Sequence, residues 1–181
     1  MKIVPCAFQL PNGEMLTVRS LCADDAEALN AFRLKTYRET HFMARYPEDG
    51  ASLEAMQKVL AGSEASALNF EVGAFAGEKL VGEFGVAQVR PHIKYRHRAV
   101  MGISVLKEAW GCGLGSFLMQ LAVAQAKANG FEQLELGVYS DNTRAIHLYE
   151  KFGFERCGTM PHAFKLKDGT YRDEIMMVKM L

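Results

Sequence analysis

Three glycines within five residues, flanked by an aromatic and a small hydroxyl residue, are the sharpest chemical signal in this chain. They lie in Trp110-Gly111-Cys112-Gly113-Leu114-Gly115-Ser116, between an apolar run ending at Ile103-Ser104-Val105-Leu106 and a helical pattern that starts near Leu114. Amides at a helix start lack helical acceptors and sit at the positive end of the helix dipole, so this loop suits a phosphate or pyrophosphate. A mononucleotide loop would need a lysine after its last glycine, but Ser116 and Phe117 follow Gly115, which argues against ATP or GTP. A dinucleotide fingerprint counted from Gly111 and Gly113 tolerates Ser116. It lies deep in the chain, however, after an antiparallel pattern, so NAD is the minor reading. Cys112 has a loop position near a helix start that would lower a thiol pKa, yet phosphate binding accounts for its neighbours and it is not assigned as a nucleophile.

A second constellation is Asn142-Thr143-Arg144-Ala145-Ile146-His147-Leu148-Tyr149-Glu150-Lys151-Phe152-Gly153-Phe154. Asparagine before Thr143 is a good helix N-cap, and Tyr149 follows seven positions later, about two turns along the same face. With both motifs in order, the chain resembles the GNAT superfamily of acetyl-CoA-dependent N-acetyltransferases. The glycine segment resembles that superfamily's Arg/Gln-x-x-Gly-x-Gly/Ala loop, with Trp110 in place of the polar first residue. The Asn142 segment is similar to its Asn-x-x-Ala-x-x-Leu-Tyr-x-x-x-Gly-Phe signature. The resemblance is specific from about Ala99 to Phe154. Within the superfamily the chain most resembles bacterial small-molecule or protein N-acetyltransferases, including the ribosomal-protein branch.

The resemblance implies acetyl-CoA as cosubstrate and no metal. It places the pantetheine arm on the backbone of Ile103, Ser104 and Val105, and the pyrophosphate on the loop Gly111, Cys112, Gly113, Leu114, Gly115 and Ser116, with Asn142 and Tyr149 near the arm. It makes Tyr149 the general acid for the departing thiolate, a role open to a phenol of pKa ~10 beside a thiol of ~8.5. A base matters most for lysine-like acceptors, whose deprotonation at pH 7 costs about 4.6 kcal/mol against ~1 for an α-amine. The ribosomal-protein branch carries a glutamate five residues before its asparagine, and Gly137 stands there in this chain. Glu83, in Val81-Gly82-Glu83-Phe84-Gly85, is the substitute base that the resemblance suggests, with Glu135, His97 and Glu39 as alternatives. The reaction implied is direct attack of a primary amine, on a small molecule or a protein, in a ternary complex. A non-catalytic acyl-CoA sensor on the same fold, or transfer of a longer acyl group, is the competing reading.

The elements that must position these residues follow from periodicity. Met15 to Arg19 alternates as a strand, and Asp24-Asp25 opens a helix carrying Ala28, Leu29, Phe32 and Leu34. A polar, aromatic-rich loop runs from Glu39 to Ser52, of the kind that carries specificity, and Leu53 to Leu60 resumes helical spacing. Leu68 to Phe75, Leu80 to Val89 and Ala99 to Leu106 read as an antiparallel meander, with a turn at Ala76 to Lys79 and a basic stretch, Arg90 to Arg98, before the third strand. A helix from Leu114 to Asn129, a strand from Gln133 to Tyr139, a helix from Thr143 to Phe152 and a last strand from Tyr171 to Leu181 complete the pattern. Gly130 and Gly153 serve as helix stops. The expectation is an α/β (α+β) fold: a mixed, mostly antiparallel central sheet, splayed at the acyl-CoA cleft and flanked by helices, in one N-acetyltransferase domain over residues 1–181.

Composition narrows the function further. Lys plus Arg and Asp plus Glu number 21 each, so no overall field favours nucleic acid or a membrane surface, and any charged ligand must be held locally. With 49% hydrophobic residues in 181, the chain can bury a core without disulfides or metals. Four scattered cysteines, no metal-ligand spacing and no long apolar run suggest reduced thiols in a cytoplasmic protein. Acids at Glu39, Glu48, Asp49 and Glu54 are candidates for holding the amine, and the family resemblance suggests a homodimer as a partner arrangement.

Overall fold

The computed structural model describes residues 3–181. Strand β1 (Cys6–Gln9) turns back through Gly13, at φ +88°, into β2 (Met15–Ser20). Leu16 and Val18 of β2 are buried while their neighbours are not, the period-two pattern of a half-buried strand. Helix α1 (Ala26–Glu39) follows a short 3-10 turn and buries Ala26, Leu29, Phe32 and Thr36, spaced as one helical stripe. Helix α2 (Leu53–Ala65) is capped by the Ser52 hydroxyl and buries Met56 and Leu60. It runs five residues beyond the expected Leu60, through a polar stretch that adds no apolar periodicity.

Strands β3 (Phe70–Ala76), β4 (Lys79–Gln88) and β5 (Arg98–Val105) form the expected antiparallel meander. Helix α3 (Leu114–Ala128), strand β6 (Gln133–Tyr139) and helix α4 (Thr143–Lys151) follow in turn. Gly130 and Gly153, at φ +86° and +79°, take the left-handed conformation that stops each helix. The chain ends in the hairpin β7 (Glu155–Lys165) and β8 (Tyr171–Met180). The strands make one sheet in the order β1-β2-β3-β4-β5-β6-β8-β7, antiparallel everywhere except between β5 and β6. Arg33 of α1 meets Glu83 on one sheet face, while a Cβ on Gly82 would touch Leu114 and Leu118 of α3 on the other. Leu148 of α4 packs beside Gly115 of α3, which puts α3 and α4 together.

Strand β7 is absent from the periodicity reading for a physical reason. It is the sheet's edge and is exposed along most of its length, so it has no apolar alternation. Its register breaks between Met160 and Phe164, around Pro161 and His162, the latter at φ +54°.

The feature that positions the site is the single parallel contact. β5 and β6 pair only from Arg98 to Val100 against Gln133 to Glu135. Beyond these residues β5 continues to Val105 and β6 to Tyr139 without pairing to each other, so the sheet opens into a V. Continued register would set Gly102 opposite Gly137, and both glycines line the opening. Among the described residues, no helix is long and apolar enough to cross a membrane, and no group of three His, Cys, Asp or Glu is placed to hold a metal.

Candidate active site

The V opens into a cavity of about 1370 Å³ that runs from the α1 side of the sheet to the start of α3. Its lower wall is the β5 edge beyond Val100, which has no strand partner and carries Ile103, Ser104 and Val105. Trp110 shapes the end of that edge: its indole N–H donates to the Val105 carbonyl at 2.7 Å, and the Arg144 guanidinium lies 3.9 Å over its ring. The backbone from Met101 to Ser104 is therefore the part left to receive an extended, amide-bearing ligand.

At the end of the cavity the glycine loop enters α3. Gly111 and Gly113 take φ +76° and +88°, conformations that side-chain-bearing residues rarely adopt, and Gly113 is the N-cap. No side chain caps this first turn, so its amides remain as donors where Gly113, Gly115 and Ser116 line the cavity. Cys112 and Leu114, expected in the pyrophosphate loop, are not part of the cavity lining. The Cys112 thiol donates to the Ala109 carbonyl at 2.9 Å, and Leu114 is fully buried in the core. The basic stretch Arg90 to Arg98 lies outside the cavity lining, with Arg98 paired to Glu135.

Helix α4 brings Asn142 and Tyr149 to the same cavity. The Asn142 side chain accepts the Ala145 N–H at 3.3 Å, so it caps the helix as well as lining the cleft. Tyr149 is 7% exposed and packs its ring 6.0 Å from that of Phe154. Burial pushes its phenol up to about 12, which keeps it a neutral O–H donor. Its hydroxyl makes no hydrogen bond within the described residues, and no fully buried polar side-chain atom lacks a partner, so the hydroxyl opens on the cleft.

The α1 face of the sheet supplies carboxylates. Glu83 is 6% exposed and held at both oxygens by Arg33, with Nε to Oε1 and Nη2 to Oε2 each 3.1 Å, while the Ser104 hydroxyl donates to Oε1 at 3.3 Å. Of the alternatives, Glu135 is taken by Arg98, His97 is not part of the lining, and Glu39 lines the cleft but accepts the Lys107 N–H at 2.8 Å. Glu48 pairs with Lys167 on the surface, and Asp49 accepts the Tyr46 N–H. Of the four acids considered for the amine, only Glu39 faces the cavity.

Two further glutamates face it instead, and neither stands out in the sequence. Glu71 on β3 pairs with Gly85 on β4, and a Cβ on Gly85 would strike the Glu71 carboxylate. Glu174 on β8 reaches over Gly137 of β6 in the same way. Glu174 thus stands one strand back from the V and Glu71 two, and each crosses a glycine of the strand in front of it to line the cavity. Burial, with Glu83 nearby and only partly offset by Arg33, pushes the Glu71 carboxyl up to about 7. The signal available in the sequence was the glycines: an isolated glycine in a strand pattern marks close approach by another group.

A loop covers the α1 side. Phe42 and Met43 line the cavity, and the Met43 carbonyl accepts the Tyr139 hydroxyl at 3.2 Å. Tyr139 stacks on Phe164 at 3.8 Å, and its phenol is pushed up to about 12, first by burial. His41 and Arg172 both reach Asp141 Oδ2 at 2.9 Å, which ties the loop to the end of β6.

The sequence model of the acetyltransferase (GNAT) family matches residues 27–154, a span that includes the V, the glycine loop and α4. The chain belongs to the GNAT family. A solved GNAT-family acetyltransferase from Streptococcus pneumoniae is 29% identical, with a TM-score of 0.86 over 92% of this chain and 99% of that one. A ribosomal-protein-alanine N-acetyltransferase from Brucella melitensis is 25% identical, with a TM-score of 0.80 over 91% and 99%. A mycothiol acetyltransferase from Brachybacterium faecium is 28% identical over 84% of this chain and 46% of its own length. The matched stretch spans 21% to 52% of the length of the first curated relatives. This GNAT-family chain therefore shares a mixed sheet of mostly antiparallel strands, flanked by helices, with solved N-acetyltransferases.

Proposed function

We propose that this GNAT-family chain transfers an acetyl group from acetyl-CoA to the nitrogen of a primary amine, within one ternary complex and as one N-acetyltransferase domain. The observation that carries the reading is that the unpaired β5 edge, the uncapped start of α3 and the Tyr149 hydroxyl line one continuous cavity. The donor set fits the cosubstrate. Amides of Gly113 to Ser116 receive a pyrophosphate, Arg144 and Lys151 of α4 add positive charge beside it, and the backbone from Met101 to Ser104 receives the pantetheine arm.

The proton balance follows from named groups. A cationic amine loses one proton before attack, the nitrogen–carbon bond forms as the carbon–sulfur bond breaks, and the nitrogen's second departing proton balances the one the thiolate gains. Tyr149, held as a phenol, donates its hydrogen bond to the departing sulfur. Glu83, oriented by Arg33 and Ser104, receives the amine's proton through water. Glu71 beside it completes a set in which two carboxylates share one guanidinium and can store one proton near neutrality. Since the Cys112 thiol is turned onto the Ala109 carbonyl, the amine attacks the thioester directly.

Relatives named for mycothiol and for ribosomal-protein alanine support both small-molecule and protein amines as acceptor classes. Four free cysteines support a reducing, cytoplasmic setting. The test is thiol release from acetyl-CoA across a panel of small amines and peptides. Acceleration by one amine class over the amine-free rate is expected. Acetyl-CoA binding with no acceleration by any amine would contradict the transferase reading and favour an acyl-CoA sensor.

A further inference from the structure

Glu174 is the cleft carboxylate that neither the proton balance nor a protein partner takes up, whereas Glu39 accepts the Lys107 N–H and Asp141 is held by His41 and Arg172. Its strand, β8, lies behind β6 as seen from the V, with Tyr139 opposite Glu174 and Gly137 opposite Met176. The side chain comes forward over Gly137, and any Cβ at 137 would occupy the place of its carboxylate. The carboxylate makes no hydrogen bond or ion pair among the described residues. Its strand neighbour Arg172 is committed to Asp141, and Arg33 to Glu83. A half-buried charge left without a partner costs stability, so a sequence that keeps both the glutamate and the glycine admitting it has built something the fold does not itself require. Beside the carboxylate stand the stacked rings of Tyr139 and Phe164, whose faces favour a cation.

We propose that Glu174 binds the acceptor's ammonium group at the mouth of the V, so that the acceptor is a primary amine that is cationic at neutral pH. The assignment rests on the acetyl-transfer reading above. Glu174 selects and places the acceptor, while Glu83 and Glu71 take its proton.

The test compares two CoA derivatives by calorimetry: S-(2-aminoethyl)-CoA, which carries an ammonium about where an attacking amine would stand, and its neutral isostere S-propyl-CoA. The protein should bind the ammonium derivative at least about tenfold more tightly, as one charge-assisted contact allows. Glu174→Gln should abolish that preference without changing affinity for S-propyl-CoA, which also reports that the variant is folded. Glu174→Asp should restore part of it, and Gly137→Ala should remove it by displacing the carboxylate. Equal affinities in the unaltered protein, or a preference that survives Glu174→Gln, would overturn the assignment and leave acetyl transfer standing. Binding of neither derivative would remove the acyl-CoA reading and this assignment with it.

Discussion

At the scale of single residues, the raised phenol of Tyr149 decides between two roles. Full transfer of a proton from a group near 12 to a thiolate of ordinary pKa ~8.5 is uphill by about 5 kcal/mol, whereas a hydrogen bond that strengthens as charge develops on sulfur needs no such transfer. Tyr149→Phe should therefore lower kcat by about 10²-fold and leave acetyl-CoA affinity within about twofold, read by steady-state kinetics beside calorimetry. Unchanged turnover would remove Tyr149 from the chemistry. Glu71 carries a second prediction. Its carboxyl titrates near 4.5 when unfolded and about 7 when folded, so between those values the unfolded chain releases a proton that the folded chain keeps, and stability falls as pH rises. Glu71→Gln should be close to neutral for stability at pH 4.5. It should stabilise by up to roughly 3 kcal/mol at pH 8, read by denaturant unfolding at both pH values. Tyr149 and Asn142 were legible in the sequence because α4 is short and contiguous, and spacing alone sets their shared face. Glu71 and Glu174 were not, because strand register brings them to the cleft from residues far away in the chain, and only the glycines they cross hint at it.

At the scale of elements, the glycine loop and the α1–β4 ion pair do separate work. A Cβ on Gly113 would meet nothing closer than Phe8 at 3.8 Å, so the cost of Gly113→Ala is conformational, about 1 kcal/mol for holding a side-chain-bearing residue in the left-handed region. The larger effect should be on ligand binding, because the amides of the first turn of α3 are aimed by that conformation. Acetyl-CoA affinity should fall more than tenfold by calorimetry, about 1.4 kcal/mol or more. Arg33→Met leaves the buried Glu83 carboxylate uncompensated and should cost roughly 3 kcal/mol in unfolding, while Arg33→Met with Glu83→Gln should recover much of that loss. The helices were legible because each buries one periodic face, and the meander because β3 and β4 are near-continuously buried runs of strand-forming residues joined by a short turn. The β5–β6 opening was expected from family resemblance, since no residue pattern in either strand marks where pairing stops. Strand β7 was hidden by its exposure and by Pro161.

At the scale of the whole molecule, a formal net charge of zero gives no long-range steering, so recognition falls to local groups lining one cavity. The two ends of that cavity are chemically opposite. Uncapped amides with Arg144 and Lys151 lie at the α3–α4 end, and the carboxylates Glu71, Glu83 and Glu174 lie on the α1 face. That polarity fits an anionic cosubstrate entering from one side and a cationic amine from the other. It was invisible in the composition, where the charges cancel. Because a ligand that binds only the folded state stabilises by mass action, acetyl-CoA at about 100 times its Kd should stabilise the fold by about 2.7 kcal/mol, seen as a rise in Tm. The most direct test of the account is calorimetric titration of the protein with acetyl-CoA and, in parallel, with NAD. Saturable one-to-one binding of acetyl-CoA, with no saturable binding of NAD at the same concentrations, is the predicted result. Failure to bind acetyl-CoA, or binding of NAD in its place, would contradict it.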